Sequence, residues 1–241
     1  MQITIARRFR GPPDSANGGY ACGLLGKHVH GAAQVRLHRP PPLDEALTLD
    51  LGAHDHVTLH KREHIIAEAA RTALAHHVPE AVNYDVAAAA TRNFRWYHGH
   101  PFAGCFVCGP ERQPGDGLCL YPGAVTNRDV VAAPWVPDVT ICDSDDRAVL
   151  PEVLWAALDC PSWFGLLEFE AGITGALLGQ LSAHVLRRPK LAEKCVVIGW
   201  SRGREGRKLY GGAAVYTADA ELLGSSYAIW IEPKAMDRSA E

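Results

Sequence analysis

The sequence is short of several features that mark large classes of proteins. Its 24 lysines and arginines face 27 acidic residues, for a net charge of −3, which excludes the uniformly basic surface of a nucleic-acid coat. No apolar run approaches the roughly 18 residues that span a bilayer, and the stretch from Met1 to Phe9 lacks the apolar core of a signal peptide. The seven cysteines are odd in number and scattered, unlike a secreted disulfide framework. We therefore expect a soluble, cytoplasmic protein that binds neither nucleic acid nor membrane.

Common cofactor and nucleophile signatures are also missing. The chain has no phosphate-binding P-loop, no dinucleotide fingerprint and no serine-centred nucleophile elbow, so no cofactor is expected. Hydrophobic residues make up 47% and charged residues 21%, which is ordinary for a folded globular protein. A length of 241 residues fits either one large domain or two small ones of about 120 residues each.

Two segments predict helices. The first begins at Asn17, a favoured N-cap residue, and continues to about Val29. It contains glycines, which are poor helix formers, so a neighbouring group is expected to approach it closely. The second segment begins near Pro151 and continues to about Phe169. Pro161 lies inside that second pattern and predicts a kink or break near Cys160.

The strand-like segments that follow the two helices resemble each other. Arg39 aligns with Arg188 at an offset of 149, and Ile66 aligns with Leu223 at an offset of 157. Two helices, each followed by a similar series of strands at nearly equal spacing, indicate a duplicated unit. Each half of the chain is thus expected to repeat the same helix-and-sheet arrangement.

The repeat sets the predicted domain bounds and one local structure. We predict an N-terminal unit over residues 1–85, a connection over 86–104 and a C-terminal unit over 105–241. Residues 56–61 and 64–72 are predicted to form a β-hairpin, although the second of these segments has high helix propensity. Its counterpart in the second half is rich in serine, glycine and aromatic residues, which favours a strand.

Three runs of residues resemble hotdog thioesterases. CFVCGPERQPGDGL, at 105–118, is similar to the opening of PaaI-like members of that group. VLWAALDCPSWF, at 153–164, looks like their central helix, with its carboxylate late in the helix. GPPDSANGGYACGLL, at 11–25, looks like the central-helix opening of acyl-CoA thioesterases that carry two hotdogs in one chain. The resemblance covers nearly the whole chain.

The resemblance implies both a fold and a function. The fold is α+β, a tandem hotdog with two central helices that are each wrapped by an antiparallel sheet. The implied activity is hydrolysis of acyl thioesters of coenzyme A or of an acyl carrier, with the acyl chain in an apolar pocket between the two helices. Hotdog sheets often pair further, so a homo-oligomer is possible on this resemblance.

The sequence departs from the resemblance at one strand. Such thioesterases commonly complete the site with a hydroxyl residue and a glutamine on strands after the catalytic helix. The expected strand has no glutamine and contains Ser225 and Ser226 instead. Gln180 and Ser182, on an earlier strand, are the candidates to replace the missing groups in substrate binding.

Asp159 is the candidate catalytic residue. It lies in an otherwise apolar helix, where an unpaired carboxylate is costly to bury. An alignment of the two helices places Leu25 opposite Asp159, so only one half carries the acid. Its predicted role is general base or direct nucleophile toward a thioester carbonyl. The alternative is that Asp159 caps a second helical segment that starts at Pro161.

Asn17, Gly18 and Gly19 form the second candidate group. A helix N-terminus offers free amide groups and the positive end of a dipole, and glycine lets a ligand approach them. These amides are predicted to hold the substrate carbonyl and stabilise its oxyanion. The alternative is a plain N-cap followed by close packing of the helix.

A zinc site is the third possibility and the least supported. His98, His100, Cys105 and Cys108 have suitable ligand types, and the C-x2-C spacing is standard for zinc. The His-x-His spacing is unusual for such a site, so the favoured interpretation is a metal-free turn that packs under the sheet edge. Cys160 has no evident histidine partner and is interpreted as a packing residue.

Arg202 and Arg204 lie in a glycine-containing turn. They predict either a solvated hairpin loop or a clamp for the phosphates of coenzyme A. Two rival functions also stay open. The missing glutamine favours a non-catalytic acyl-binding protein. A hotdog dehydratase would need a histidine beside an acid at the helix start, and Asp14 has none beside it.

Overall fold

The structure is a computed structural model that describes residues 1–233. Its helices are α1 Gly18–Gly26, α2 Tyr84–Ala90, α3 Pro151–Ala157 and α4 Cys160–Phe169. Its strands are β1 Gln2–Thr4, β2 Ala33–Leu37, β3 Ala46–Leu51, β4 Val57–Lys61, β5 His64–Arg71, β6 Gly123–Ala124, β7 Val131–Trp135, β8 Leu177–Val185, β9 Cys195–Glu205, β10 Lys208–Thr217 and β11 Leu222–Ile231. Residues 234–241, the end of the predicted C-terminal unit, lie outside the described residues.

The strands form one antiparallel sheet in the order β1-β3-β4-β5-β2-β8-β11-β10-β9-β7-β6. The first five strands of this order precede the connection in the chain and the other six follow it. The two groups join where β2 pairs with β8, with Gln34 opposite Ser182. Since the join is a ladder of backbone hydrogen bonds, both halves share one continuous sheet.

The hydrogen bonds at the ends of β2 and β8 repeat across the two halves. The Ile66 carbonyl accepts from the Arg39 amide at 3.3 Å, and the Leu223 carbonyl accepts from the Arg187 amide at 3.1 Å. The predicted equivalence of Ile66 and Leu223 is therefore confirmed. Arg39 corresponds to Arg187 rather than to Arg188, so the sequence alignment is one residue out of register there.

The predicted hairpin is confirmed as β4 and β5, which pair in antiparallel fashion. Ala67 and Ala69 of β5 are buried and stand opposite Leu59 and Val57 of β4, which are buried as well. This alternation has the period of a strand. Burial against the neighbouring elements thus outweighs the helix propensity of the segment.

The first helix begins as predicted and ends early, whereas the second breaks as predicted. α1 has Asn17 as its N-cap residue and ends at Gly26 rather than near Val29. α3 ends at Ala157 and α4 begins at Cys160. Pro161 has no amide hydrogen to donate to the carbonyl of Ala157, four residues earlier, so a continuous helix would lose that bond.

α1 and α3 pack directly against each other, and glycines make the contact possible. A Cβ at Gly23 would lie 2.5 Å from the Cα of Glu152, and one at Gly19 would lie 2.4 Å from the Cβ of Asp159. α1 also contacts the sheet that the halves share, and in the second half α4 makes the corresponding contact. The prediction of an apolar acyl pocket between the two helices is therefore wrong, because their backbones are in contact there.

α2 begins two residues before the predicted connection and packs on the sheet face opposite to α1 and α3. Val82, Ala87 and Ala90 pack there in a second apolar cluster with residues of β7, β9 and β10, among them Trp200. Among residues 1–233, no helix is long and apolar enough to cross a membrane.

Candidate functional site

Asp159 lies at the break between α3 and α4 and is held by the other half of the chain. Its side chain is buried, with the residue 2% exposed. Its Oδ2 accepts a hydrogen bond from Asn17 Nδ2 at 3.0 Å and another from the Gly19 amide at 2.9 Å. The structure thus brings together the predicted acid and the predicted helix N-terminus.

Asn17 makes two side-chain hydrogen bonds that fix the direction of its amide group. Oδ1 accepts from the Tyr20 amide at 2.9 Å, which is the N-cap bond of α1. Nδ2 then points to Asp159. The same residue therefore starts the first helix and binds the acid of the second half.

The amides at the start of α1 are mostly occupied. The Gly19 amide donates to Asp159, and the Tyr20 amide donates to Asn17. The Gly18 amide has no partner among the described residues, and as the first residue of the helix it has none inside the helix. A substrate carbonyl would meet the Gly18 amide directly, and the Gly19 amide only after exchange with Asp159.

Burial changes the acidity of Asp159. Desolvation raises the pKa of its carboxyl to about 7, and the hydrogen bonds from Gly19 and Asn17 oppose that rise. Oδ1 is buried and has no hydrogen-bond partner among residues 1–233. Both ionisation states of the carboxyl are therefore populated near neutral pH, and one of its oxygens is free to accept a proton.

Serines from α4 and β11 hold the helix break. Ser226 Oγ donates to the carbonyl of Leu158 at 2.7 Å, and Ser162 Oγ donates to the carbonyl of Asp159 at 2.7 Å. Trp230 Nε1 donates to Ser162 Oγ at 3.0 Å. From the sequence, Ser226 was only a residue found where a glutamine was expected. Its period-2 relation to Ala228 and Trp230, which are buried as well, was the signal that it faces the helices.

Three buried cysteines lie beside Asn17 and Asp159. The Sγ atoms of Cys105, Cys108 and Cys160 all lie within 4.8 Å of one another, and those of Cys105 and Cys160 are 3.9 Å apart. Asn17 Nδ2 is 3.6 Å from the Cys160 sulfur. Hydrogen bonds from the neighbouring thiols hold the pKa of Cys105 well below its usual range. We call these three residues the cysteine cluster.

The structure groups only two of the four residues considered as zinc ligands, Cys105 and Cys108. His98 is exposed, and Nδ1 of His100 accepts from the Phe102 amide at 3.0 Å. Neither histidine belongs to the cysteine cluster. The fold brings the start of α4 against the C-x2-C turn. Cys160, interpreted from the sequence as a packing residue, is therefore the third member of the cluster.

The turn that carries Cys105 and Cys108 is bound to the N-terminal segment. Arg10 Nε and Arg112 Nε both donate to the carbonyl of Gly104, at 3.1 Å and 2.9 Å. The Phe106 amide donates to the Arg10 carbonyl at 2.8 Å. These bonds position the turn against the start of α1.

Gln180 and Ser182 do not reach Asp159. Ser226 faces the helices and pairs with Ala183 of β8, so Ser182, the next residue along the strand, faces the other side of the sheet. Gln180 also faces that side, where its Nε2 donates to Gln34 Oε1 at 3.2 Å. The structure separates these two residues from the acid by the thickness of the sheet.

Arg202 and Arg204 are engaged by nearby side chains of the sheet. The guanidinium of Arg202 lies 5.2 Å from the ring centre of Tyr227, which pairs with Ser182 and shares its face of the sheet. Arg204 Nη2 lies 2.7 Å from Glu232 Oε2. Arg202 thus lies on the sheet face opposite to Asp159, and Arg204 is ion-paired near the end of β11.

Comparisons with known proteins identify similar solved structures. No protein-family model and no curated protein matches the chain. A putative thioesterase II of Thermobifida fusca is similar with a TM-score of 0.59 and 12% identity, over 95% of this chain and 91% of that one. A tesB protein of Mycobacterium avium subs paratuberculosis is similar with a TM-score of 0.58 and 13% identity, over 90% and 87%.

A third solved structure names the fold. It is a conserved protein of unknown function with a hot dog fold from Alicyclobacillus acidocaldarius, similar with a TM-score of 0.50 and 8% identity, over 96% of this chain and 93% of that one. At such identities the likeness concerns architecture alone. The chain has the hotdog fold.

Proposed function

We propose that this chain is a tandem of two hotdog units that hydrolyses acyl thioesters of coenzyme A or of an acyl carrier. The observation that carries the proposal is the buried Asp159 carboxyl, which the N-terminus of the opposite central helix holds through Asn17 and Gly19. Several similar solved structures are named as thioesterases, and residues 105–118 resemble the opening of PaaI-like members of that group.

Pseudo-symmetric contacts support the tandem arrangement. Gly19 approaches Ala156 in the same way as Gly23 approaches Glu152, as expected for two equivalent helices that cross about a local two-fold axis. The acid breaks this symmetry, because α1 ends at Gly26 and carries no acidic residue. One unit would supply the acid and the other the amides that surround it.

In the proposed reaction Asp159 acts as general base. Its unpartnered Oδ1 takes a proton from a water molecule, whose oxygen attacks the thioester carbonyl carbon. The Gly18 amide, together with the Gly19 amide when Asp159 releases it, stabilises the oxyanion. The tetrahedral intermediate collapses, the carbon–sulfur bond breaks, and the protonated Asp159 returns its proton to the leaving thiolate. Direct attack by Asp159 is the variant of this route in which an acyl–enzyme anhydride forms.

The route of the substrate follows from burial. Because Asp159 is only 2% exposed and α1 contacts α3 directly, the acyl group cannot enter between the helices. It would enter beside the start of α1, where Gly18 is half-buried. The turn with Cys105 or the N-terminal segment then has to shift when the substrate binds.

The second candidate function is acyl-thioester binding without hydrolysis. It is favoured by the hydrogen-bond partners of Asp159, which are Asn17 and Gly19 and include no hydroxyl or glutamine side chain. The same partners include no histidine, so the dehydratase alternative gains no support.

Release of free thiol from a panel of acyl-CoA esters tests the proposal. We expect Asp159→Asn to lower kcat by about 10² to 10⁴, the usual contribution of a general base, since asparagine keeps the shape and cannot accept the proton. Asp145→Asn, in an exposed loop, is the matched control and should leave turnover unchanged.

The same experiment separates the rival outcomes. Equal turnover of wild type and Asp159→Asn would contradict the proposed mechanism. Tight acyl-CoA binding without turnover in the wild type would support the binding protein. Single turnover in ¹⁸O-labelled water would place the label in Asp159 only if the carboxylate attacks directly.

A further inference from the structure

We propose that the cysteine cluster, Cys105, Cys108 and Cys160, binds one zinc ion through its three thiolates. Its members come from two places in the chain, the C-x2-C turn and the first residue of α4. All three are buried. The proposal is independent of whether Asp159 takes part in catalysis.

The spacing of the sulfur atoms fits tetrahedral zinc. A zinc–sulfur bond of about 2.3 Å places two sulfurs on one tetrahedral ion about 3.8 Å apart. The Cys105 and Cys160 sulfurs are 3.9 Å apart, and the third sulfur lies within 4.8 Å of both. The three ligands can close around an ion by small side-chain rotations.

The surroundings hold two of the three ligands in place. The Gly109 amide donates to the Cys105 carbonyl at 3.0 Å and closes the C-x2-C turn. Arg10 and Arg112 fix the residue before it through the Gly104 carbonyl. A rigid turn with C-x2-C spacing supplies two thiolates at a small entropic cost, which is how many structural zinc sites are built.

Polar groups around the cluster fit a bound cation. Asn17 Nδ2 lies 3.6 Å from the Cys160 sulfur and 4.0 Å from the Cys105 sulfur, as a donor that supports thiolate ligands from outside the coordination sphere. Three sulfurs leave one tetrahedral position for water. Such a water would be a donor for Asp159 Oδ1, which is buried without a partner.

The first test is the metal content of the full-length protein purified without chelator. We expect about one zinc per chain by elemental analysis. Removal of the ion with a chelator should lower Tm, since an ion that binds the folded chain stabilises it. Titration of the metal-free protein with cobalt(II) should produce the sulfur-to-cobalt charge-transfer band and the strong visible bands of tetrahedral coordination.

Single-cysteine variants assign the ligands. Cys108→Ala and Cys160→Ala should each lose the zinc and the cobalt charge-transfer band, whereas Cys195→Ala, a buried cysteine of β9 outside the cluster, should keep both. Circular dichroism checks that each variant is folded.

The measurements on the wild-type protein test the zinc site even if a cysteine variant fails to fold. Absence of zinc from the isolated protein, together with no charge-transfer band on cobalt titration, would overturn it. A disulfide within the cluster in protein handled under reducing conditions would overturn it as well.

Discussion

Two residues that lie far apart in the sequence form one unit in the fold. Asn17 caps α1 with its oxygen and binds Asp159 with its nitrogen, so a change at Asn17 acts on a helix and on the acid together. A buried carboxyl loses its hydration and depends on such donors. The exchange of a single amide nitrogen for an oxygen should therefore have a large effect at this position.

We expect Asn17→Asp to lower the free energy of unfolding at neutral pH by about 3 kcal/mol, the scale of an uncompensated buried charge. The new carboxylate keeps the cap of α1 but faces Asp159 at the present 3.0 Å separation. Asn83→Asp is the matched control, because Asn83 caps α2 with the same kind of bond and is exposed. Urea unfolding measures both, and equal stability of the two variants would contradict this account.

At the scale of elements, the contact between α1 and α3 determines the shape of the site. The glycines of α1 have no side chain between the two backbones, so Asp159 comes close enough to accept the Gly19 amide. The break after α3 turns the Asp159 carboxyl toward α1, and Ser226 supports the freed Leu158 carbonyl. The geometry of the site therefore depends on two local features, the glycines of α1 and the proline at the break after α3. Both act through the contact between α1 and α3.

We expect Gly23→Ala to lower the free energy of unfolding by about 1–3 kcal/mol, as overpacking does, despite the better helix propensity of alanine. Its Cβ would lie 2.5 Å from the Cα of Glu152, a backbone atom. Gly18→Ala is the control in the same helix, because its Cβ would meet side-chain atoms of Leu178 and Leu37 and no backbone atom within the nearest contacts. Thermal unfolding measures the stability of both variants. A Gly23→Ala protein more stable than the wild type would contradict the tight contact between α1 and α3.

At the scale of the whole molecule, the two halves share one sheet and one apolar core, so we expect them to unfold together. β2 pairs with β8 in the middle of the sheet, and the main apolar core contains residues of both halves. All six tryptophans lie at position 96 or later, so tryptophan fluorescence observes only the second half and the connection. A substitution in the first half that shifts the tryptophan fluorescence transition would therefore show that the two halves unfold together.

We expect Leu49→Ala, in β3, to lower the fluorescence-detected stability by about 2–5 kcal/mol, the usual cost of truncating a buried leucine. Leu49 is 1% exposed, whereas Leu51 of the same strand is 61% exposed. Leu51→Ala should change the free energy of unfolding by less than about 0.5 kcal/mol. An unchanged tryptophan transition in Leu49→Ala would mean that the halves unfold independently.

The features that the sequence predicted correctly have local causes. The cap at Asn17 and the break before Pro161 follow from the hydrogen-bonding capacity of single residues. The β4–β5 hairpin required the internal repeat, since the propensity of residues 64–72 points to a helix. Gln180 and Ser182 face away from the acid, which the sequence could not show, because the face that a strand residue presents depends on strand pairing: Ser226 pairs with Ala183, and Tyr227 pairs with Ser182.

The sequence by itself determined the start of α1, the break between α3 and α4 and the β4–β5 hairpin, because these depend on neighbouring residues or on a repeated pattern. Only the tertiary structure decided what surrounds Asp159. Asn17 lies 142 residues away from it in the chain, and Cys105 lies 55 residues from Cys160. Contacts across such separations depend on how the whole sheet closes around its helices, which no local pattern encodes.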